Sequence, residues 1–445
     1  MIKTTLILLV FYLTILLIFK YINSTGHKDY TIKLRPFIND TQTMNQDVCV
    51  LGGGLSGLLV SSKIMTKHNV VLFEKSDRLG GNNYSSDENI PIRFGVFLKW
   101  HSPCLFRTLR DLNLDYTSTN LTHLVSNYGD TEHIFPVQSH KGRLIIDGKF
   151  DFKMFKHLIV LIYNLITVFL LYFFSDYYSH NSTVGSFNLN DIIFKHIVIP
   201  VGGINMFVDN KDFTKLSSKV VARYVLLGLT DGFVAVKGGN HLLIDSLVNK
   251  IESHVKINTH QSINSVKILH NKKILVNSSQ IFDSIVITCQ PHDAKNIIPH
   301  NLEPHNSILD CFETVNCYSC IHTYDKVFKK YNVNTNLVYD TIGPHHYLHI
   351  DAHYYNMDNH IGSRQRFITY YYDDAPNIIP EKYIVKKSFT KLSRQIAEKK
   401  NILDKLLSEL KENTQNIYLS NAAYYGFMWH EDACIMAETV AKAFY

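Results

Sequence analysis

The chain has 445 residues, of which 46% are hydrophobic and 19% are charged, so it is long enough to bury a large core in two connected domains. Its 45 Lys and Arg residues against 39 Asp and Glu residues leave a formal net charge of +6, and the basic residues form no block. This pattern argues against a dedicated nucleic-acid-binding protein, and it is compatible with contact at an anionic membrane surface.

The first predicted element is a membrane anchor over residues 1–22. Thr4 to Phe19 is almost wholly apolar, lies between Lys3 and Lys20, and is not followed within the next few residues by a small-residue cleavage site. Positive charges after this segment exceed those before it, which favours a single-pass signal anchor with a cytosolic catalytic part. A cleaved signal peptide, which would make the protein secreted or lumenal, stays open as the alternative. The polar residues 23–43 predict a tether.

Residues 44–125 are predicted to form the first part of a dinucleotide-binding domain. The apolar run Val48 to Leu51 predicts a buried parallel strand that leads into Gly52, Gly54 and Gly57, with the spacing G-x-G-x-x-G. In such a motif the first glycine makes a tight turn, the second lets the backbone approach a pyrophosphate, and the third lets the following helix pack on the strand.

An acid follows at the distance that this motif requires. A second predicted strand, Val70 to Phe73, ends at Glu74, which is placed to accept hydrogen bonds from an adenosine ribose. The helix between the strands would direct free N–H groups and a partial positive charge at the phosphates. Because strand, glycines, helix, strand and acid coincide, the segment predicts a nucleotide-binding βαβ unit.

The residues after Glu74 indicate which dinucleotide binds. Arg78, Gly80 and Gly81 in EKSDRLGG resemble the R-x-G-G of the flavin amine oxidase, phytoene desaturase and protoporphyrinogen oxidase superfamily. The resemblance implies FAD as the resident cofactor. Two glycines let the main chain pass close to a diphosphate, and an arginine can offset its charge.

The next segments are assigned partly by this resemblance. The loop Phe94 to Pro103 would pass near the flavin ring, which makes Lys99 and His101 candidate catalytic residues. Residues 126–231 are predicted to be the first part of a substrate domain. They contain a second apolar run, Leu158 to Phe174, for which a membrane-dipping helix over 158–174 is favoured and a buried core helix is the alternative.

Residues 232–299 are predicted to be the second part of the cofactor domain. A helix begins at Gly238-Gly239, and successive strands follow with a turn at Asn271-Lys272. The resemblance places the backbone of Val266 against the adenine, and Thr288 and Cys289 near the ribose.

Residues 300–400 would complete the substrate domain. Cys317 and Cys320 form the only C-x-x-C of the chain, but the flanking sequence VNCYSCIHT is typical of a strand, and no second Cys or His pair accompanies it. No metal site is therefore predicted.

Residues 401–445 would form the third part of the cofactor domain, with a strand, a loop and a C-terminal helix. Glu431 and Asp432 stand at the helix start, where the helix N–H groups can meet the flavin pyrimidine ring, and both are assigned to cofactor binding. A plain helix cap is the alternative for Asp432. His430 is the best acid/base candidate, because of its place in the closing motif GFMWHED, residues 426–432.

The closing motif carries a closer resemblance. Residues 426–432, GFMWHED, are similar to the G-Y-G-F-H-E-D of amine-oxidase-like proteins often associated with lipid-modifying enzymes, and looser matches extend the resemblance over residues 46–445. The chain departs from this pattern at Met428, Ala422, Ile92 and Arg93, where the family has glycine or small residues. Bulk at these positions would narrow the flavin pocket.

The predicted fold class is α/β: a Rossmann-like FAD-binding domain of the glutathione-reductase type, with an interleaved α+β substrate domain and an N-terminal membrane anchor helix. The predicted function is a membrane-anchored, FAD-dependent oxidoreductase that removes hydride equivalents from a hydrophobic, lipid-like small molecule. Three alternatives remain: a flavin amine oxidase, a flavin-binding membrane protein without turnover, and an isomerase similar to UDP-galactopyranose mutase, which rests only on the Gly-Gly-Asn at 80–82. The oligomeric state is not predicted.

Overall fold

The computed structural model of the protein describes residues 45–83, 85, 90, 95–98, 102–119, 124–128, 131–135, 137–140, 143–146, 233–331, 335–342, 345–355, 365–410, 416–425 and 429–445. The predicted anchor (1–22), the tether (23–43) and the predicted membrane-dipping helix (158–174) lie outside these residues. No helix in the described part of the chain has the length and apolar character needed to cross a membrane.

Residues 45–146 contribute the first group of elements. They are β1 (Asp47–Leu51), α1 (Leu55–Ile64), β2 (Asn69–Phe73), a 3₁₀ turn (Gly81–Asn83), β3 (Phe97–Leu98), α2 (Pro103–Asp111), β4 (Tyr116–Ser118), β5 (Leu124–Tyr128), β6 (Thr131–Phe135), β7 (Val137–His140) and β8 (Arg143–Ile146).

Residues 233–445 contribute the second group. They are β9 (Phe233–Val236), α3 (His241–Ile251), β10 (Val255–Asn258), β11 (Val266–Ile268), β12 (Ile274–Val276), β13 (Gln280–Phe282), β14 (Ser284–Ile287), α4 (Pro291–Lys295), α5 (His305–Leu309), β15 (Phe312–His322), α6 (Lys326–Lys329), β16 (Leu337–Ile342), β17 (His345–Asp351), β18 (Phe367–Tyr372), β19 (Ile384–Gln395), α7 (Lys400–Leu410), β20 (Ile417–Leu419), α8 (Ala422–Tyr425) and α9 (His430–Ala441), with short 3₁₀ turns at Ala352–Tyr355, Glu381–Tyr383, Ala397–Lys399 and Lys442–Phe444.

A five-stranded parallel sheet, in the order β10-β2-β1-β14-β20, forms the centre of the cofactor domain. Its strands come from three stretches of the chain that are far apart in sequence. The central strand β1 is apolar throughout its buried length, as a strand covered on both faces must be. The predicted βαβ unit and the Rossmann-like fold are therefore confirmed.

The two faces of this sheet belong to different hydrophobic clusters, because successive side chains of a strand alternate. Val48 and Val50 of β1 pack with residues of α1, α3 and α9. Cys49 and Leu51 pack with the three-stranded sheet β11-β12-β13 and with α4, α5 and α7. The predicted turn at Asn271-Lys272 joins β11 to β12, and Lys272 has a positive φ of 63°.

A seven-stranded sheet, in the order β19-β15-β18-β17-β16-β5-β6, forms the second layer. The segment predicted as a strand around the C-x-x-C is β15, so that prediction is confirmed. Cys320 packs into the cluster under α6, whereas Cys317 belongs to a separate cluster with Val315 and Tyr372. The two thiols point to opposite faces because their positions in the strand differ by three, an odd number.

Candidate dinucleotide-binding site

The glycine motif forms the turn between β1 and α1. Gly52 has φ +110°, a conformation that glycine adopts without strain, and its N–H donates to the carbonyl oxygen of Phe73 at 2.8 Å. A Cβ atom on Gly57 would lie 1.9 Å from the Gly52 carbonyl oxygen, which is far inside contact distance. Only glycine at 57 therefore lets α1 begin this close to the end of β1.

A second glycine loop lies against the first. The N–H of Gly80 donates to the carbonyl oxygen of Gly53 at 2.8 Å, and Gly54 and Gly80 form a parallel β-bridge. Gly81 has φ +55°, and a Cβ atom there would approach the Cα of Gly54 to 3.2 Å. The exposed Arg78 stands in the turn just before these glycines. The loops keep a strip of backbone free of side chains, as a bound diphosphate requires.

The N-terminus of α1 is suited to an anion. Its first turn contains no acidic residue, and no side chain caps it in the described structure. The first helical hydrogen bond runs from the Leu58 N–H to the Gly54 carbonyl oxygen, so the preceding N–H groups point out of the helix end. Uncapped N–H groups and the helix dipole together favour a phosphate at this end.

Glu74 closes the site at the end of β2. Its buried carboxylate accepts the Gly53 N–H on Oε2 at 2.7 Å, and it accepts the Ser76 N–H and hydroxyl on Oε1 at 2.8 and 2.5 Å. Each carboxylate oxygen has two lone-pair positions, so Oε2 retains one for a further donor. The acid can thus hold the glycine loop in place and still accept a ribose hydroxyl.

The backbone N–H of Val266, the residue predicted to meet the adenine, is engaged within the protein. The N–H of Val266 donates to the carbonyl oxygen of Ile297 at 3.1 Å, so it is not available to a base. The segment beside the end of β2 lies a few residues earlier, where the Gln261 N–H donates to the Glu74 carbonyl oxygen at 2.9 Å. Among the described residues, nothing hydrogen-bonds to the backbone N–H or carbonyl of Ile263. The contact of Val266 with the adenine stays a prediction, and Ile263, which follows the Glu74 contact by two residues, is a further candidate that sequence reasoning missed.

Thr288 supports the glycine loop from β14. Its hydroxyl lies 2.8 Å from the carbonyl oxygens of both Leu51 and Gly52. The side-chain amide of Asn421 donates to the Thr288 carbonyl oxygen at 2.8 Å, which ties the third chain segment to the same point. The neighbouring Cys289 is neutral, because burial raises the pKa of its thiol to about 12. Thr288 thus lies just after the end of β14, beside the glycine loop, its predicted place near the ribose stays a prediction, and Asn421 is an addition.

The two acids at the start of α9 are directed at protein backbone. Glu431 accepts the N–H groups of Cys104 and Leu105 at 3.1 and 2.8 Å, so it caps the N-terminus of α2. Burial raises the pKa of the Glu431 carboxyl to about 7, although both hydrogen bonds oppose that shift. Asp432 accepts the Trp429 N–H at 3.0 Å within its own helix end. Both carboxylates therefore cap helix ends in the described structure, as the alternative for Asp432 proposed, and the contact of this helix end with the flavin stays a prediction.

His430 begins α9 in an apolar setting. Its Nε2 lies 3.5 Å from the amide nitrogen of the buried Asn240, and its ring lies 6.1 Å from the ring of Phe97. Burial lowers the pKa of His430 to about 4, so the imidazole is neutral at physiological pH. The other two candidates, Lys99 and His101, lie outside the described residues, as do Ile92, Arg93 and Met428.

Comparison with known proteins agrees with this geometry. A family profile described as an NAD(P)-binding Rossmann-like domain matches residues 50–112. No curated protein matches the chain. Putrescine oxidase bound to putrescine superposes with a TM-score of 0.62 at 12% identity, covering 89% of this chain and 98% of that one.

Two other solved structures are similar in the same way. Cyclohexylamine oxidase from Brevibacterium oxydans has a TM-score of 0.62 at 14% identity, covering 90% of this chain and 98% of the oxidase. A fatty acid isomerase from P. acnes that produces CLA has a TM-score of 0.61 at 9% identity, covering 91% and 99%. The fold that the sequence resemblance implied is thus confirmed: residues 50–112 match a Rossmann-like domain profile, and the chain has the fold of the amine-oxidase-like proteins.

Proposed function

We propose that the protein is a membrane-anchored, FAD-dependent oxidoreductase that removes hydride equivalents from a hydrophobic, lipid-like substrate. The observation that carries this proposal is the pair of glycine loops at the uncapped N-terminus of α1, where a Cβ on Gly57 would overlap the Gly52 carbonyl oxygen. Such a strip of bare backbone accommodates a dinucleotide diphosphate.

FAD fits this site better than a nicotinamide dinucleotide phosphate. The Glu74 carboxylate faces the ribose position and would repel a 2′-phosphate. The R-x-G-G resemblance at Arg78, Gly80 and Gly81 and the amine-oxidase-like fold favour a flavin over NAD. When bound, FAD supplies the hydride-accepting chemistry, and the protein binds, orients and dries the site.

Different residues of this chain would bind different parts of the cofactor. The N–H groups of α1 would bind the diphosphate, Glu74 would bind the ribose, and the free backbone of Ile263 would bind the adenine. Because His430 is neutral, it can donate or accept a hydrogen bond near the start of α9 without placing a positive charge there. The helix end of α9 remains the proposed contact for the flavin ring.

The residues of the seven-stranded sheet favour an apolar substrate over a charged one. β18 is buried along its whole length and carries three consecutive tyrosines. Among the described residues, the two buried carboxylates of this sheet are already engaged. Asp340 contacts Lys330 and Asn127, and Asp351 contacts His353 and Gln365. An ammonium substrate would need a carboxylate that is not already paired. The similarity to a fatty acid isomerase points in the same direction.

An amine oxidase is the second candidate. It is favoured by the names of two similar structures, putrescine oxidase and cyclohexylamine oxidase. The membrane part of the proposal rests on the apolar segment Thr4 to Phe19, with the catalytic part on the cytosolic side.

The test is an anaerobic absorbance spectrum of the full chain purified in detergent, recorded before and after addition of a lipid extract and, separately, of putrescine or cyclohexylamine. Oxidised flavin absorbs near ~370 and ~450 nm. Loss of the longer-wavelength band with lipid supports the first proposal, and loss with an amine supports the second. Flavin that neither addition reduces would indicate a binding protein without turnover, and a folded chain without flavin would refute FAD binding.

A further inference from the structure

Strand β19 forms one edge of the described seven-stranded sheet and has an unusual exposed row. Val385, Lys387, Phe389 and Lys391 alternate with less exposed residues along the strand, so all four side chains lie on one face. Val385 and Phe389 are each 50% exposed. We call these four residues, with the adjacent exposed Lys382, the basic strand face.

The charge on this part of the strand is of one sign. Residues 381–391 contain four lysines and one glutamate, which leaves a net charge of +3. The glutamate, Glu381, is itself exposed and pairs with Lys387. Lys382 lies 5.0 Å from the ring centre of Tyr383, and that ring lies 5.0 Å from the ring of Tyr324. Half-buried tyrosines beside lysines are typical of residues that lie at a membrane interface.

The exposed ring of Phe389 lies beside other aromatic rings of the sheet. It lies 5.0 Å from the ring of Tyr318, which stacks at 5.2 Å on Tyr371 in the sheet interior. Phe389 therefore ends a row of aromatic rings on this face of the sheet, and half of its surface remains exposed at the sheet edge.

Edge protection explains only part of this pattern. Lysines on an edge strand hinder pairing with another strand, but that task does not require exposed valine and phenylalanine, which raise the risk of association. A second copy of the chain is a poor partner, because pairing two β19 strands would bring their lysines together. A surface that is apolar inside and anionic at its boundary satisfies both kinds of side chain.

We propose that the basic strand face docks on an anionic lipid membrane, with Phe389 and Val385 entering the interfacial region and Lys382, Lys387 and Lys391 contacting lipid headgroups. This contact is additional to the N-terminal anchor and does not depend on flavin turnover. It would hold the sheet, and with it the substrate domain, against the bilayer rather than at the end of a free tether.

The test is hydrogen exchange, followed by mass spectrometry, of the full chain reconstituted in nanodiscs of phosphatidylcholine alone or with phosphatidylserine. We expect exchange over residues 384–391 to slow by about tenfold with phosphatidylserine. High salt should reverse the effect, since screening weakens headgroup contacts. The α7 segment 400–410, which carries the equally exposed Ile402, should not change.

A matched pair of charge variants separates a local contact from overall charge. The variant K382E/K387E/K391E should lose the protection, whereas K250E/K256E/K267E, which changes net charge equally at exposed lysines elsewhere, should keep it. Equal loss in both variants, or equal exchange in the two nanodisc types, would overturn the proposal. Protection that grows with protein concentration without phosphatidylserine would assign the strand to a protein partner instead. Flavin content, read at the same time, reports on FAD binding independently.

Discussion

Two helices that pack against each other, α1 and α9, begin in opposite ways. The first turn of α1 has no acid and no side-chain cap in the described structure, whereas the first turn of α9 contains Glu431 and Asp432. Asp432 satisfies a backbone N–H of its own helix end, and Glu431 satisfies two N–H groups of α2. Both termini carry the same partial positive charge, but α9 begins with two acids beside that charge, whereas α1 begins with none.

The difference shows which kind of helix N-terminus is suited to bind a phosphate. An anion site needs donors without protein partners and a backbone without side chains, and the glycines at 54 and 57 provide both. An acid in the first turn indicates instead that the protein has already supplied the negative charge.

The largest effect is expected for Gly57→Ala. The new Cβ would lie 1.9 Å from the Gly52 carbonyl oxygen, so either α1 or the loop must move. We expect the free energy of unfolding to fall by about 3 kcal/mol and FAD binding to be lost. Urea unfolding and the flavin-to-protein absorbance ratio of the purified chain measure the two effects.

The control for Gly57→Ala lies on the same helix. Ser62→Ala removes only a bond from the Ser62 hydroxyl to the carbonyl oxygen of Leu59, three residues earlier. This variant should bind FAD like the wild type. Full flavin occupancy in Gly57→Ala would show that α1 does not approach the dinucleotide at this glycine.

The second prediction concerns the buried acid of α9. The pKa of Glu431 is raised to about 7 from an ordinary value near 4.5, so the folded protein holds a proton that the unfolded chain has released. Between these two pH values the folded state binds more protons, and stability therefore falls as pH rises from 4.5 to 7. A shift of this size corresponds to about 3 kcal/mol.

The variant Glu431→Gln has no carboxyl to titrate at this position, so it should lack the fall in stability between pH 4.5 and pH 7. We expect its free energy of unfolding to change less than that of the wild type between pH 5 and pH 8, as measured by urea unfolding at intervals across the range. The neighbouring His430 has the opposite sign: its lowered pKa reduces stability as pH falls from 6.5 toward 4. Parallel curves for wild type and Glu431→Gln would refute the buried-acid assignment.

The third prediction concerns the support of the glycine loop. Thr288→Val keeps the shape of the side chain but removes the hydroxyl that contacts Leu51 and Gly52. We expect a loss of about 1 kcal/mol in stability and a severalfold weaker FAD affinity, measured by titration of flavin fluorescence. Thr288→Ser retains the hydroxyl and should behave like the wild type. If the valine variant binds FAD as tightly as the wild type, the Thr288 hydroxyl does not contribute to holding the loop.

The parts of the fold that could be predicted from sequence are those that depend on residues close together in the chain. The strands predicted at 48–51 and 70–73 lie within β1 and β2, and the glycines stand where the motif requires them. A strand that is buried on both faces and a glycine-bounded turn each leave a signal within a few residues.

The other features depend on partners that are remote in sequence. Glu431 accepts the N–H of Cys104, which lies 327 positions earlier in the chain, and β5 pairs with β16 across 213 positions, as Leu337 pairs with Leu124. No periodicity in either segment records such a pairing. Sequence reasoning overlooked Ile263 as a candidate for the adenine contact, because this residue precedes the strand whose pattern was recognisable.

The smallest effect is expected for Glu438→Gln. Glu438 lies 3.4 Å from Lys63 of α1 and 3.2 Å from Arg107 of α2, so it joins both helices to α9 by partly exposed ion pairs. Such pairs contribute about 0.5 kcal/mol or less, and salt screens them. Glu438 also raises the pKa of Glu431 by charge repulsion, so removing its charge should move the stability loss of the wild type to lower pH. Urea unfolding across pH would detect this change in midpoint even where the stability at neutral pH is unchanged. An unmoved midpoint would mean that Glu438 acts only on α1 and α2, and that burial and the Asp432 charge suffice to set the protonation of Glu431.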